Sequence, residues 1–157
     1  MSVSFEWVLL AYRLPREPST PRITVWRKLK RLGVAQLLDG LVALPADAQT
    51  REQLDWIADE VIAAGGTATV WLGRPGSASQ QRAIAAAMSS AIDEEYAVIT
   101  AEASDALALD PVDRRRVFTR LGRELQRVAR RDHFPTAAGS RAKRAVRALG
   151  QLVEASR

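Results

Sequence analysis

Residues 14–33, LPREPSTPRITVWRKLKRLG, fix a helix boundary at both ends and divide its surface into one apolar and one cationic side. Ser19 or Thr20 can cap a helix whose first position is Pro21, because the N–H that proline lacks would have no intrahelical acceptor there. Gly33 closes it. At about 100° per residue, Val25, Trp26, Leu29 and Leu32 share one arc, while Arg27, Lys28, Lys30 and Arg31 take the rest of the circumference. The first set is expected in a core and the second against an anion or a nucleic acid. Arg22 projects on the apolar side in the first turn, where the helix dipole disfavours a cation, so a nearby carboxylate or a bound anion is expected beside it.

The segments around this helix set the fold class. Residues 4–14 (SFEWVLLAYRL) are apolar in both alternating registers, Phe5, Trp7, Leu9 and Ala11 against Val8, Leu10 and Tyr12, as in a central strand covered on both faces. Residues 34–38 and 41–45 flank Asp39-Gly40, a hairpin turn signal, and Pro45 ends the second arm. Thr50 with Gln53 makes a capping-box start for a helix over 51–64, with Leu54, Ile57, Ala58 and Val61 as its buried stripe and Gly65-Gly66 as its stop. Residues 67–72 (TATVWL) form another strand. The order strand, helix, two-strand hairpin, helix, strand is the split βαβ pattern of a ferredoxin-like α+β sandwich. Its two helices cover one sheet face only, so Trp56 and Trp71 need another partner, either the rest of the chain or a second copy related by a twofold axis.

The second half reads as helical. Ile84, Met88, Ile92, Tyr96 and Ile99 recur at helical spacing over residues 79–103, with Asp93, Glu94 and Glu95 outside. Asp110-Pro111 starts a helix that runs to about Arg131 and buries Val117, Leu121, Leu125 and Val128. A last helix over 140–155 turns Val146, Leu149 and Val153 inward and Arg141, Lys143, Arg144 and Arg147 outward. Residues 73–77 (GRPGS) mark the boundary, giving a ferredoxin-like subdomain over 1–76 and an all-helical extension of about three helices over 77–157, packed together as one compact unit.

The 157 residues suffice to bury a full core without staples, and the absence of cysteine excludes disulfides and thiolate metal sites. The apolar run 7–12 is too short for a membrane span, and no secretory leader precedes it, so the expected location is cytoplasmic, away from a membrane. The net charge of +5 is unevenly spread. Residues 13–31 hold seven cations against Glu17, and residues 114–147 hold twelve against Glu124 and Asp132. Two basic regions separated by an acidic middle suit a polyanion, although long helices also carry arginine on solvated faces.

No residue set assembles a catalytic, metal or cofactor site. His133 stands alone at a helix end, the acidic run 93–95 reads as a solvated face, and residues 73–76 lack the lysine ending of a phosphate-binding loop. No enzyme activity is expected.

One family resemblance is carried by a tryptophan-bearing strand ending in Leu14-Pro15, then Arg22, Trp26-Arg27, Leu32-Gly33 and a hairpin ending in Leu44-Pro45. This pattern resembles the amino-terminal domain of the ChrB-type chromate-resistance proteins. It is densest over 7–45 and continues weakly through Trp71, Glu95-Tyr96 and residues 131–134. The resemblance implies a regulator of chromate efflux that binds promoter DNA in a chromate-responsive way, and members carry a further carboxy-terminal domain. A weaker similarity links the first half to phenylacetate-type repressors and to small CRISPR-associated nucleases. Those nucleases hold a metal on an aspartate at the end of the first strand, where this chain has Ala11-Tyr12-Arg13.

Arg13 and Arg22 flank the turn at Leu14-Pro15, where guanidinium forks and the helix N-terminal amides can hold chromate, sulfate or a DNA phosphate. Alternatively Arg22 pairs with Asp39 or Glu17 and pins the turn. The expected nucleic-acid contacts are Arg27, Lys28, Lys30, Arg31, Arg141, Lys143, Arg144 and Arg147. The expected partners are DNA, chromate or a similar oxyanion, and a second copy in a homodimer. The competing expectation is a protein-interaction or dimerisation module that binds no nucleic acid.

Overall fold

Alternation along the first strand sends Val8 and Leu10 to one side, and strand pairing carries that register across a whole sheet. In the computed structural model, which describes residues 5–157, the elements run β1 (Trp7–Arg13), α1 (Thr20–Leu32), β2 (Ala35–Leu38), β3 (Leu41–Pro45), α2 (Ala48–Ala63), β4 (Thr67–Gly73), α3 (Ala78–Ala106), α4 (Pro111–Arg130) and α5 (Ala137–Ala155). Ser4, where the first strand is expected to begin, lies outside the described residues. This is a mixed α/β chain with a four-stranded antiparallel sheet, ordered β2-β3-β1-β4, and five helices. It divides inside α3 into two compact units, one ending at Ala87 and the other Met88–Arg157. Residues 74–77 connect β4 to α3.

In the first unit Val8 pairs with Leu44 and Leu72, and Leu10 with Val42 and Val70. The side chains of Val8, Leu10, Val42, Leu44 and Val70 pack against Val25 and Leu29 of α1 and Leu54, Ile57, Ala58 and Val61 of α2. The sequence names this core correctly with one exception, Trp26, which is 46% exposed. A helix laid on a sheet buries a stripe at spacings of three and four, and Trp26 sits about 100° from Val25, past the margin of that stripe. Ser19 occupies the N-cap position of α1, yet its side chain makes no capping bond. Gly33 ends the helix at a φ of 73°, a left-handed conformation that suits glycine.

The start of α2 also differs from expectation. Asp47 is the N-cap, its carboxylate accepting from the Thr50 amide at 2.7 Å while the Thr50 hydroxyl accepts from the Asp47 amide at 3.0 Å. The same hydroxyl donates to the Pro45 carbonyl at 2.7 Å. Thr50 therefore closes a reciprocal cap that begins the helix at Ala48, and the box expected at Thr50 and Gln53 starts it too late. At the hairpin tip only Gly40, at a φ of 76°, takes a left-handed conformation, and a register shift lies between Gln36 and Leu38. The Tyr12 amide donates to the Gly40 carbonyl at 2.8 Å, which ties the tip to β1.

The opposite sheet face carries Trp7, Leu9, Leu37, Ala43 and Trp71 around a mostly apolar groove that Ala83 and Ile84 of α3 also line. Trp7 is buried, but Trp71 is 58% and Trp56 64% exposed.

In the second unit Ile92, Tyr96 and Ile99 of α3 pack with Leu121 and Val128 of α4 and Ala142, Val146 and Leu149 of α5. Asp110 caps α4 by accepting from the amides of Val112 and Asp113 at 2.9 and 3.1 Å, as its sequence predicts. Thr136 caps α5, so that helix begins at Ala137 rather than at Ser140. The Tyr96 hydroxyl donates to Asp132 Oδ2 at 3.2 Å inside this core. Burial first, and then the Asp132 carboxylate, push the phenol up to about 12 from its ordinary 10.0. The unfolded chain releases this proton near its ordinary value and the folded chain only near 12. The resulting stability is thus complete below the ordinary value and is lost as the pH climbs towards 12. Tyr96→Phe should flatten the alkaline fall in urea-unfolding free energy and cost about 1 kcal/mol at neutral pH through the lost hydrogen bond. An unchanged alkaline slope would exclude Tyr96 as its source. Among the described residues no helix is long and apolar enough to cross a membrane.

Candidate functional site

Three segments meet where β1 ends. The strand runs out at Arg13, the turn that follows contains a cis peptide between Glu17 and Pro18, and α1 begins at Thr20. The tip of the β2–β3 hairpin is held against the same end by the Tyr12–Gly40 hydrogen bond. Together they form an open cleft of about 1160 Å³ whose lining includes Tyr12, Arg13, Arg16, Arg22, Trp26, Arg27 and Asp39.

The fold thus brings Arg13 and Arg22 to one cavity. Among the described residues neither forms an ion pair. Among the described residues Asp39 is the only carboxylate in the lining, against four guanidinium groups. The α1 N-terminus opens here without a side-chain cap and without an acid in its first turn. The Tyr12 phenol is pushed above its ordinary value, mainly by burial and further by Asp39, while Arg22 acts the other way. It therefore stays an O–H donor at neutral pH. Arg16 and Tyr12 join the arginine pair expected from the sequence, Arg16 from the turn between Arg13 and Arg22.

The cations of α1 have diverse surroundings. The Lys28 ammonium donates to Glu60 of α2, and the Lys30 ammonium lies 4.1 Å from the centre of the Trp26 ring. Arg27 joins the cleft, and Arg31 is exposed. On α5, Arg141, Lys143, Arg144 and Arg147 are all exposed, and among the described residues none is in an ion pair. An arginine stripe on α4 lies outside the cations that the sequence singles out. Arg116, Arg120, Arg123 and Arg127, spaced four, three and four residues apart, line an open groove of about 530 Å³ with Arg115. Arg120 is held by Glu102 at 2.6 Å and Glu124 at 3.0 Å, whereas Arg123 and Arg127 are in no ion pair among the described residues.

The remaining candidates have structural surroundings. Asp93 accepts from the Thr136 hydroxyl at 2.6 Å, and Glu95 takes both terminal nitrogens of Arg131 at 2.9 and 2.5 Å. His133 lies half-buried in the turn between α4 and α5. Among the described residues there is no cluster of three or more histidine, aspartate or glutamate side chains suited to a metal ion.

Residues 22–110 match a family described as "Protein ChrB, N-terminal". That span holds Arg22, Trp26, Arg27 and Asp39 of the cleft and ends at the cap of α4. Protein ChrB of Cupriavidus metallidurans is 32% identical over 140 residues, which cover 87% of this chain and 43% of the relative. The chain thus spans less than half the length of that relative. No solved structure matches.

Proposed function

Because this chain belongs to the ChrB amino-terminal family, we propose that it is a chromate-resistance regulatory module that holds an oxyanion at the β1–α1 turn and contacts DNA through α4 and α5. The observation that carries this reading is the convergence of Arg13, Arg16, Arg22 and Arg27 on one open cleft with a single carboxylate. A tetrahedral dianion such as chromate matches it chemically. Guanidinium groups bind two oxygens at once, the Tyr12 hydroxyl donates to a third, and the uncapped start of α1 adds its dipole. A monoanion would leave more of the mutual repulsion of the four arginines uncompensated.

DNA contact is assigned to the exposed cations of α5 and the α4 stripe. Lys28 and Lys30 of α1 are poorer candidates, since one is engaged by Glu60 and the other by Trp26. Such a surface meets phosphates and carries little base readout. The element order with the strand order β2-β3-β1-β4 favours reading the first unit as a ferredoxin-like sandwich that serves as the scaffold of the cleft.

A salt titration of binding to promoter and random DNA, with and without chromate, tests the reading. Log affinity should fall linearly with log salt, by about 0.9 for each phosphate neutralised. Chromate should shift the promoter curve, and Arg22→Ala should remove that shift while leaving the salt slope intact. Absence of DNA binding, or binding insensitive to salt, would overturn the DNA assignment. A chromate effect that persists in Arg22→Ala would place the oxyanion elsewhere.

A further inference from the structure

The layer formed by α1 and α2 has an outer surface that the sheet does not use. Val25 and Leu29 define the inner side of α1, and Ile23, Arg27, Lys30 and Arg31 lie on the opposite side with Trp26 at its edge. Leu54, Ile57, Ala58 and Val61 define the inner side of α2, and Glu52, Trp56 and Asp59 lie opposite, with Asp55 and Glu60 flanking them. The bond from Lys28 to Glu60 joins the two helices side by side. One surface therefore presents a cationic strip next to an anionic strip. Each strip also carries exposed apolar groups, Ile23 at 47% and Trp26 at 46% on α1, and Trp56 at 64% on α2.

Such a surface is complementary to itself. Rotation by 180° about an axis along the seam between the helices lays the α1 of each copy over the α2 of the other. Every contact of cation with carboxylate then occurs twice, and the assembly closes at two chains. A large exposed tryptophan surrounded by charge is the side chain that most often anchors an interface, once the polar rim has excluded water around it. We infer that this chain forms a twofold dimer through the outer faces of α1 and α2, with Lys30 and Arg31 of one copy facing Glu52 and Asp59 of the other around Trp56. This assignment rests on neither the oxyanion nor the DNA reading. It gives Lys30 and Arg31 a protein partner and leaves α4 and α5 for a polyanion.

The test is a charge exchange read by sedimentation velocity at low ionic strength. The unmodified chain should be dimeric and should dissociate as salt is raised, since the charged contacts are screened. Glu52→Lys with Asp59→Lys makes both strips cationic, and Lys30→Glu with Arg31→Glu makes both anionic. Each variant alone should be monomeric. Mixed in equal amounts they should form a one-to-one dimer, because each then supplies the strip that the other lacks. Trp56→Ala keeps every charge and should weaken the dimer at least tenfold, with an unchanged circular dichroism spectrum. An unmodified chain that stays monomeric, variants that stay dimeric alone, or a mixture that stays monomeric would each overturn the inference.

Discussion

Reversing Arg141, Arg144 and Arg147 to glutamate together is expected to lower DNA affinity on the order of 1000-fold at about 0.1 M salt. Each substitution removes a cation that can neutralise a phosphate and places a carboxylate in its stead. The three lost counterion-release terms should also reduce the salt slope by about 3. The fold should survive, because all three side chains are exposed while α5 buries Ala142, Val146, Leu149 and Val153 on its other side. Fluorescence anisotropy with labelled DNA reads the loss, and thermal unfolding checks the fold. Affinity within tenfold of the original would remove α5 from the DNA surface and leave the α4 stripe as the candidate.

A second large effect is expected from a single methyl group. On Gly66 an added Cβ would lie 2.3 Å from the Arg13 carbonyl oxygen, 2.9 Å from Val61 Cγ1 and 3.1 Å from Leu14 Cδ2. The closest of these is backbone, so Gly66→Ala forces β1 and the entry to β4 apart. The expected cost is about 3 kcal/mol or more, in the range of overpacked cores. The strained carbonyl belongs to Arg13, so oxyanion affinity should fall with stability. Gly122→Ala is the natural control. Nothing lies within 4 Å of its added Cβ in the middle of α4, and alanine there should stabilise by about 1 kcal/mol. Equal midpoints for the two variants in urea would refute the steric account.

These expectations depend on features that were unequally legible in the sequence. The buried stripes of α2, α4 and α5 follow from spacing alone, since a residue near the centre of an apolar arc faces the core whatever the partner. Trp26 lies at the margin of its arc, and there the width of the contact with the sheet decides, a tertiary quantity that α1 does not encode. The start of α2 was ambiguous for a local reason. Asp47 with Thr50 and Thr50 with Gln53 form overlapping capping signals, and the earlier one prevails because the Thr50 hydroxyl also satisfies the Pro45 carbonyl. The meeting of Arg13 with Arg22 could be foreseen because a short turn joins their elements. That Asp39 shares their cavity follows from the β2–β3 tip reaching back to β1, a contact between residues distant in sequence.

The connection between β3 and α2 has a consequence for register. The Ala46 amide donates to the Glu6 carbonyl at 2.9 Å, the Thr50 hydroxyl to the Pro45 carbonyl, and Asp47 and Thr50 bond to each other in both directions. These bonds leave the segment no slack, so its length acts as a gauge. One residue inserted after Thr50, with the cap still anchored to Pro45, would rotate the rest of α2 by about 100°. Leu54 and Val61 would leave the sheet, and Trp56 would swing off the outer face. The direction in which α2 aims its carboxylates is thus fixed by a hydroxyl and a carbonyl at its very first turn.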